Sequence, residues 1–486
     1  MRPMSRRNAL LLGGLGTAAI AAGGAGLWWT VSSRFAPVAG GDFTEPKQLR
    51  SSNGRLQVRL EASAGSVQLG GQRASALGYN GGVPGPTLRL RGGDVLAVEL
   101  VNSMAVPTNL HVHGLHVSPQ GNGDNVFNVV EPGHSFSYEY RLPADHPPGV
   151  YWYHPHHHGM VAEQIFAGLF GAIIVEDAQP VDVSRERVMV VSDITLDGSG
   201  TVADASPMDR MLGREGELVL VNGQSNPKLS ARSGERERWR IVNTCVARYL
   251  QLRLDGQQMQ LLGMDSGRFA TPRNADRVLL APGNRADVLV TALAGDATLG
   301  AVYYNRGSMA GMMGPAGPAP DGGQGSGDIV LATLSASGAP AASPPPVPAR
   351  PAPPDLRTAA IAAHRQLTLA VGGMGMGMGM SFTINGREFN ANRTDTTVAA
   401  QTVEEWTLIN PSPMDHPFHL HVWPMQIVEE QGQTPGPPVW RDVVNIPANG
   451  QVRVRINFTD FTGRSVYHCH ILDHEDQGMM GVIDVR

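Results

Sequence analysis

The amino-acid sequence predicts an all-β protein made of three β-sandwiches. Gly (59) and Pro (36) are abundant among the 486 residues, while charged residues make up only 17%. Such a composition favours many short strands joined by turns over long helices. Three strand-rich blocks of similar length also follow one another along the chain, and blocks of this size are typical of sandwich domains.

The first 44 residues precede these blocks and have the architecture of an export signal. Arginines at positions 2, 6 and 7 come before an apolar stretch that runs from Ala9 to about Trp29. Arg6-Arg7 after Ser5 resembles a twin-arginine signal, which predicts export to the periplasm or another extracytoplasmic space. An apolar stretch of about 20 residues is also long enough to remain as a membrane anchor. Release and anchoring both stay open.

The three blocks are placed at residues 45–180, 181–336 and 360–486. The first contains VPGPTLRLRGGDVLAVELVN and the second contains LVLVNG and ADVLVTA, which read as short apolar strands with turn signals between them. Residues 337–359 are rich in Pro and predict an extended, semi-rigid linker before the third block. The net charge of −5 and the isoelectric point near 6.3 give no argument for a nucleic-acid partner.

The segment HCHILDHEDQGMM in the third block predicts two metal sites on opposite sides of one strand. Side chains alternate between faces along a strand, so Cys469 points one way while His468 and His470 point the other way. A thiolate, two imidazoles and a weak axial thioether are the ligands of a blue copper site. Cys469, His474 and Met479 supply three of these ligands, with Met480 as a competitor for the axial position. His416 in PMDHPFHLH is the candidate for the second imidazole.

Four His-x-His pairs predict a second site with several metal ions. The chain has 16 His, and residues i and i+2 of a strand share a face, so each pair presents two imidazoles together. Eight imidazoles are too many for one metal, whereas three copper ions with two or three nitrogens each would use them all. The pairs are His111/His113, His154/His156, His419/His421 and His468/His470. In HPHHHG the pair His156/His158 is an alternative register.

These motifs make the chain resemble the multicopper oxidases, of the bacterial laccase or copper-efflux type. The resemblance rests on NLHVHGLH (109–116), YWYHPHHHG (151–159), HPFHLH (416–421) and HCHILDHEDQGM (468–479). It implies cupredoxin-like Greek-key sandwiches and four copper ions, one of type 1, one of type 2 and two of type 3. Type 1 copper would take His416, Cys469, His474 and Met479, and type 2 copper would take His111 and His419. The type 3 pair would take His113, His154, His156, His421, His468 and His470.

The resemblance also implies the reaction and its proton donors. Electrons from small aromatic reductants or from Cu(I) would enter at type 1 copper and pass through Cys469 to His468 or His470, where O₂ is reduced to water. Many family members carry an acid nine residues after the second histidine of the first pair. That position is Asn122 here, so Asp124, two residues further on, is the candidate. Glu475, next to His474, resembles the second acid of the family.

The methionines leave the reductant open. In VGGMGMGMGMSF, four methionines alternate with glycine, and thioethers are soft ligands suited to Cu(I). They are Met374, Met376, Met378 and Met380, and Met414 lies two residues before His416. A role in gathering Cu(I) and a role as adaptable filler in a Gly-rich loop are both consistent with this pattern.

Three other functions are weighed against the oxidase. They are a copper-binding or storage protein without turnover, an exported structural or cell-division factor on the same fold, and a copper nitrite reductase. The complete set of eleven His and Cys ligands argues against a protein that has lost copper. Two full His-x-His pairs in each terminal block argue against a nitrite reductase. Cys245 is the only cysteine besides Cys469, and its apolar neighbours predict a small buried hydrophobic residue.

Overall fold

The computed structural model describes residues 40–308, 327–372 and 380–486. In these ranges the chain is almost all β, with 31 strands in six sheets. The sheets pack in pairs around three hydrophobic cores, one for each of the predicted sandwiches. The export signal predicted for residues 1–44 lies almost wholly outside the described residues. Among the described residues, no helix is both long and apolar enough to cross a membrane.

The first sandwich, as it is called below, extends from β1 to β9. In β2 the even-numbered residues from Leu56 to Ala62 are buried and their neighbours are mostly exposed, as expected for a strand with one face on the core. One sheet has the order β1-β4-β9-β8-β6 and the other β3-β2-β5-β7. The strands are β1 (Gln48–Arg50), β2 (Arg55–Leu69), β3 (Gln72–Tyr79), β4 (Thr87–Leu90), β5 (Val95–Asn102), β6 (His111–His113), β7 (Ser135–Arg141), β8 (Gly149–His154) and β9 (Gly171–Val175).

The second sandwich extends from β10 to β20. Its sheets have the orders β11-β10-β13-β18-β15-β16 and β12-β20-β19-β14-β17. The strands are β10 (Arg185–Ile194), β11 (Leu218–Val221), β12 (Lys228–Arg232), β13 (Arg236–Asn243), β14 (Leu250–Leu254), β15 (Met259–Met264), β16 (Gly267–Ala275), β17 (Val278–Leu280), β18 (Arg285–Thr291), β19 (Gly295–Val302) and β20 (Ile329–Ser337).

The third sandwich extends from β21 to β31. Its sheets have the orders β22-β21-β24-β29-β26-β27 and β23-β31-β30-β25-β28. The strands are β21 (Ala363–Gly372), β22 (Ser381–Ile384), β23 (Thr396–Val398), β24 (Val403–Asn410), β25 (His416–Leu420), β26 (Met425–Glu430), β27 (Val439–Arg441), β28 (Val443–Ile446), β29 (Gly450–Asn457), β30 (Gly463–Cys469) and β31 (Met480–Val485).

The three sandwiches repeat one topology. In each sandwich an early strand pairs in parallel with a later strand of the same sheet. These pairs are β2 with β5, β10 with β13, and β21 with β24. A parallel pair in one sheet requires a crossover through the other sheet, which is how Greek-key sandwiches are connected. The fold class predicted from the sequence is therefore confirmed: an all-β chain of three cupredoxin-like Greek-key sandwiches.

Each sandwich contains one short helix, and a linker connects the second sandwich to the third. The helices are α1 (Val161–Phe166), α2 (Pro207–Leu212) and α3 (Leu472–Asp476), and a 3₁₀ turn covers Leu356–Thr358. The Pro-rich segment 338–355 contains no helix or strand and lies against its neighbours, since Arg350 N donates to Ala270 O over 2.8 Å. The predicted boundaries of the domains and the linker stay predictions.

The first and third sandwiches meet directly. Asp476 at the end of α3 accepts hydrogen bonds from the backbone N–H groups of Gly159, Val161 and Ala162 at the start of α1, over 2.8 to 3.1 Å. A carboxylate at this position satisfies N–H groups that a helix leaves unpaired. These bonds join the first and third sandwiches close to the histidine motifs.

Candidate metal centres

A buried thiol and two imidazoles converge inside the third sandwich. Cys469 Sγ lies 3.4 Å from His416 Nδ1 and 4.0 Å from His474 Nδ1, and none of the three side chains is exposed. Their ligand atoms are close enough together to hold one metal ion. We call this group the mononuclear site.

Hydrogen bonds from the far side of each ring orient the two imidazoles. His474 Nε2 lies 3.0 Å from the carbonyl oxygen of Met211 in α2, and a carbonyl only accepts, so the proton of this ring is on Nε2. His416 Nε2 lies 2.8 Å from Ser412 Oγ, whose hydroxyl proton is directed to Asn410 Oδ1 or Met414 O. Each ring therefore turns an unprotonated Nδ1 towards Cys469. Outer hydrogen bonds of this kind are typical of histidines that bind metals.

Burial also fixes the charge states at the mononuclear site. It lowers the pKa of His416 to about 3 and that of His474 well below its ordinary value, so both rings are neutral near pH 7. The same burial raises the pKa of the Cys469 thiol. A thiolate at this depth needs a cation beside it, and one sulfur with two neutral nitrogens is a donor set that suits copper.

The two methionines after α3 lie in different cores. Met479 is fully buried in the same core cluster as Cys469, and its backbone N–H donates to His474 O over 2.9 Å. Met480 packs with Val126 and Val466 in a separate small cluster between the first and third sandwiches. Of the two, Met479 is the one whose side chain shares a core with the mononuclear site.

All eight histidines of the four His-x-His pairs lie together where the first and third sandwiches meet. None of them is more than 2% exposed. We call them the eight-histidine cluster. Its members are His111, His113, His154, His156, His419, His421, His468 and His470.

Ring nitrogens from both sandwiches approach one another within this cluster. His468 Nε2 lies 3.1 Å from both His156 Nε2 and His421 Nε2. At the other end, His154 Nε2 lies 3.4 Å from His113 Nδ1. Two pairs stack across the interface with ring centroids 3.8 Å apart, one being His111 with His421 and the other His113 with His419. Three sets of three imidazoles have nitrogens close enough to share an ion.

The chemistry of the cluster fits metal ions. Burial lowers the pKa of all eight imidazoles, so the rings are neutral and their free nitrogens are electron-pair donors. Several of these nitrogens are buried without a hydrogen-bond partner. Buried polar atoms without a partner are rare in native proteins, because each costs desolvation energy. A ligand that accepts these electron pairs accounts for them. The atoms are Nε2 of His111 and His419, Nδ1 of His156 and His421, and both nitrogens of His470.

The expectation that each pair lies on a strand is only partly correct. His111 and His113 both lie within β6. In the other three pairs the second histidine comes just after the end of β8, β25 or β30. His421 N donates to Val466 O, and His470 N donates to Pro417 O. Both bonds continue the register of β25 with β30. His156 N instead donates to Asn109 Oδ1, outside its sheet. Period-two alternation therefore extends to His421 and His470, and only His156 departs from it.

Of the alternative histidines in HPHHHG, His158 lies outside the cluster. Its ring packs against Phe389 with centroids 4.6 Å apart, and the side chain is partly exposed. His156 Nε2, by contrast, lies 3.1 Å from His468 Nε2. The geometry therefore brings together His154 and His156 rather than His156 and His158.

Asp124 lies directly behind the cluster. Its carboxylate is 2.9 Å and 3.0 Å from His111 Nδ1 and accepts from Val112 N over 3.1 Å. This contact occupies Nδ1 of the His111 ring, whose Nε2 has no hydrogen-bond partner. Burial raises the pKa of Asp124 to about 8, although the Val112 N–H acts in the opposite direction.

Glu475 contacts two other imidazoles of the cluster. Its Oε2 is 3.0 Å from His468 Nδ1 and its Oε1 is 3.5 Å from His156 Nε2. Burial raises the pKa of Glu475 to about 7. Both acids singled out in the sequence thus contact imidazoles of the cluster.

The methionines singled out in the sequence are only partly described. Met374, Met376 and Met378 lie outside the described residues, and Met380 is half-buried against the core of the third sandwich. Met414 is fully buried, with its sulfur 3.4 Å from Nη1 of Arg306. Met414 therefore faces a guanidinium in the interior rather than the surface.

Sequence reasoning missed the residues that support the rings from other parts of the chain. One of them is Asp442, which lies directly before β28. Its carbonyl oxygen accepts a hydrogen bond from His419 Nδ1 over 2.8 Å, and its Oδ1 lies 3.2 Å from His113 Nε2. Met211 supports His474 from the second sandwich. The acid in WRDVVNIP was the available sequence signal for Asp442. A backbone carbonyl such as that of Met211 gives no sequence signal, because every residue has one.

A cleft of about 310 Å³ leads from the surface to the cluster. It lies between the first and third sandwiches and reaches His156. Arg464 stands over the ring of Phe127 on its wall, 4.8 Å from the ring centroid. A small molecule entering this cleft would approach the imidazole of His156.

Comparison with known proteins identifies three family models that match the chain, each described as multicopper oxidase. They match residues 61–180, 151–326 and 354–486. Together they cover most of the chain, including every residue of the mononuclear site and of the eight-histidine cluster.

Individual relatives cover nearly the full length. A multicopper oxidase of Staphylococcus haemolyticus is 27% identical over 90% of each chain. The cell division protein FtsP of Proteus mirabilis is 25% identical, over 94% of this chain and 93% of its own. Among solved structures, a multicopper oxidase from Campylobacter jejuni described as a metallo-oxidase has a TM-score of 0.80 at 29% identity, covering 92% of this chain and 96% of its own.

Proposed function

The chain belongs to the multicopper oxidase family, and from this premise we propose that it couples one-electron oxidation of a reductant to the four-electron reduction of O₂ to water. When bound, copper supplies the one-electron chemistry at the mononuclear site and the O₂ chemistry at the cluster. The reductants are phenols, aromatic amines or Cu(I).

One observation carries this proposal: adjacent residues of one strand belong to two different sites. His468 Nε2 lies 3.1 Å from His156 Nε2 in the cluster, while Cys469 Sγ lies 3.4 Å from His416 Nδ1 in the mononuclear site. A few covalent bonds therefore join the two sites. The carbonyl of Cys469 adds a hydrogen-bonded route, because it accepts from His468 Nδ1 over 2.9 Å.

The chain would hold four copper ions. At the mononuclear site, His416, Cys469 and His474 are the proposed ligands of type 1 copper, with Met479 as the axial one. Met479 lies in the core that also contains Cys469, whereas Met480 lies in another cluster, and this supports the choice of Met479. His111 and His419 are proposed for type 2 copper, and their free Nε2 atoms support this. The other six members of the cluster are proposed for the type 3 pair.

Asp124 and Glu475 are proposed to hold and deliver protons for water formation. The proposal is supported by their positions, since each carboxyl group contacts an imidazole of the cluster. Asp124 also occupies Nδ1 of His111, which keeps Nε2 available as a ligand atom. O₂ is proposed to arrive through the cleft that reaches His156.

The substrate proposal includes Cu(I) because of the methionines and the covered mononuclear site. His474 is fully buried, and its Nε2–H is bonded to Met211 O in α2. A bulky aromatic reductant therefore has no direct contact with this ring in the described structure, and the metallo-oxidase description of the Campylobacter protein points the same way. We propose a role in copper tolerance in the periplasm or another extracytoplasmic space, reached by the twin-arginine route. Release from the membrane and retention by an N-terminal anchor are both compatible with this role.

A second function is kept because of one relative. FtsP of Proteus mirabilis is named a cell division protein, and it matches this chain over nearly its full length. An exported copper-binding, storage or structural protein on this fold is therefore the alternative. The partnerless nitrogens of the cluster argue against a protein without copper, which would leave them buried and unsatisfied. They do not separate an oxidase from a copper-storage protein, and the short link through Cys469 and His468 favours the oxidase.

O₂ uptake by the copper-loaded protein tests the proposal. Cu(I) and a phenol are compared as electron donors in the same buffer, with copper content measured on the same sample. Faster uptake with Cu(I) supports a metal oxidase, and faster uptake with the phenol supports a laccase. Absence of uptake with either donor, in protein shown to hold its copper, favours the storage or structural alternative.

A further inference from the structure

The second sandwich contributes no histidine to either site, yet one of its arginines lies at the meeting point of all three sandwiches. Arg285 begins β18 and is fully buried. Its Nε donates to Val150 O of the first sandwich over 3.0 Å, and its Nη1 donates to Gly283 O of the second over 3.2 Å. Its guanidinium also contacts two carboxylates. Nη1 and Nη2 donate to Oδ1 and Oδ2 of Asp442 in the third sandwich over 2.5 Å and 2.7 Å, and Nη1 lies 3.4 Å from Asp265 Oδ1 in the second.

Asp442 in turn contacts two histidines of the cluster. Its Oδ1 lies 3.2 Å from His113 Nε2, and its carbonyl oxygen accepts from His419 Nδ1 over 2.8 Å. The rings of His113 and His419 are stacked, with centroids 3.8 Å apart and planes 8° apart. One residue thus orients one ring from the first sandwich and one from the third.

The packing around this contact leaves little freedom. Gly114, which follows His113, has φ +84°, and a Cβ there would lie 2.3 Å from Arg285 Nη2 and 2.9 Å from Asp442 Oδ2. Gly283 also has φ +84°, and a Cβ there would lie 2.7 Å from His470 Nε2. Glycine is required at both positions, since other residues are strained there and their side chains would displace the arginine or the ring. The segment from Gly283 to Arg285 therefore touches the cluster directly.

Stability alone is a weak explanation for this ion pair. A buried ion pair costs desolvation energy that its attraction often only offsets, and apolar replacements are frequently as stable. The fork of a guanidinium fixes a carboxylate in both distance and plane, which a lysine cannot do. A carboxylate fixed in this way determines which nitrogen of His113 carries the proton, and so which nitrogen faces the cluster.

We propose that Arg285 is a positioning residue of the eight-histidine cluster, which acts through Asp442 to set the orientation and tautomer of His113 and His419. The middle sandwich would then determine how tightly the cluster holds metal although it supplies no metal ligand. This inference rests on the proposed function, because it takes the cluster to be a copper site. Outer hydrogen-bond partners of metal-binding histidines typically change metal affinity by about 10- to 100-fold.

Arg285→Lys tests the inference, with Arg240→Lys as the matched control. Arg240 is another fully buried arginine of the second sandwich, and it pairs with Glu186 over 2.9 Å rather than with Asp442. Copper retained during dialysis against a chelator is measured together with the electron paramagnetic resonance spectrum. The blue absorption of the mononuclear site is an internal reference in each sample.

We expect Arg285→Lys to weaken copper binding by the cluster about tenfold or more and to change the type 2 resonance signal. The blue absorption should persist, and Arg240→Lys should retain all its copper. Asp442→Asn, which keeps the size of the side chain but not its charge, should reproduce the selective loss if Arg285→Lys fails to fold.

If the wild-type protein binds copper normally at the cluster, two results would overturn this inference and leave the proposed function intact. One is wild-type copper retention and an unchanged spectrum in both Arg285→Lys and Asp442→Asn. The other is loss of copper from both sites to the same degree as in Arg240→Lys, which would indicate a merely structural role. Wild-type protein that takes up no cluster copper would overturn the proposed function, and this inference with it.

Discussion

His468 and Cys469 are neighbours in the chain, but their side chains belong to two separate sites. His468 Nε2 lies 3.1 Å from His421 Nε2, and Cys469 Sγ lies 3.4 Å from His416 Nδ1. Both residues lie at the end of β30, where side chains alternate between the two faces of the sheet. The consequences of this arrangement are testable one residue at a time.

Cys469→Ser should abolish the intense blue absorption, because that absorption requires the copper–thiolate bond. The variant should keep about three copper ions in place of four, since the cluster imidazoles are unchanged. Visible spectra and copper content per chain measure both effects. Cys245→Ser is the control, because Cys245 is equally buried but its sulfur faces Val191 O. A blue Cys469→Ser protein would contradict the ligand assignment.

Asp124→Asn and Glu475→Gln should each slow O₂ reduction by about 100-fold while the copper content stays at the wild-type level. The expected cause is loss of a group that holds a proton beside His111 or His468. Asp94→Asn is the matched control, a buried carboxylate of the first sandwich that accepts from Arg91 N. Normal turnover in either variant would remove that residue from the proton route.

Replacing Met374, Met376, Met378 and Met380 with Leu should lower the rate of Cu(I) oxidation several-fold, because leucine has no soft donor for Cu(I). Oxidation of a phenol by the same protein should be unchanged, which separates Cu(I) capture from damage to the copper sites. Met104→Leu, in the core of the first sandwich, serves as the control. An unaltered Cu(I) rate would make the Met-Gly stretch a loop without a role in copper handling.

Stability should fall with pH below about 6.5 in part because of His146. Burial lowers its pKa to about 3, while its Nε2 accepts from His116 N and its Nδ1 faces Pro147 O. Below pH 6.5 the unfolded chain binds a proton that the folded protein excludes, so stability is lost as pH falls from 6.5 towards 3. The free energy of unfolding by urea is measured for the copper-loaded protein at pH 7 and pH 5. Its decrease between these two pH values should be about 2 kcal/mol smaller in His146→Gln than in the wild type.

His134→Gln, which removes an exposed histidine, is the control for that experiment and should retain the wild-type response. An identical pH response in His146→Gln and wild type would contradict the role of His146.

The sequence was sufficient for the fold class and for the set of histidines that come together. Local patterns carry both: alternating burial predicts strands such as β2, and the four His-x-His pairs identify the members of the cluster. The alternation did not predict the backbone at His156, which lies beyond the end of β8. Its N–H donates to Asn109 Oδ1, a tertiary hydrogen bond that period-two patterns do not reveal.

Residues that support the sites from distant parts of the chain could not be predicted. Arg285 and Asp442 are 157 positions apart, and neither resembles a metal ligand in sequence. Met211 supports His474 through a backbone carbonyl, which any residue could provide. Such contacts follow from the packing of three sandwiches against one another, and single-sequence periodicity carries no information about that packing.

The most direct test of the account is the number of electrons delivered per O₂ consumed by the copper-loaded protein. A one-electron donor is titrated in an oxygen electrode while hydrogen peroxide is assayed in the same vessel. We predict about four electrons per O₂ and no accumulated peroxide, since the proposed reaction reduces O₂ to water. O₂ consumption that yields peroxide, or no consumption by protein that holds its full copper complement, would contradict the proposed oxidase.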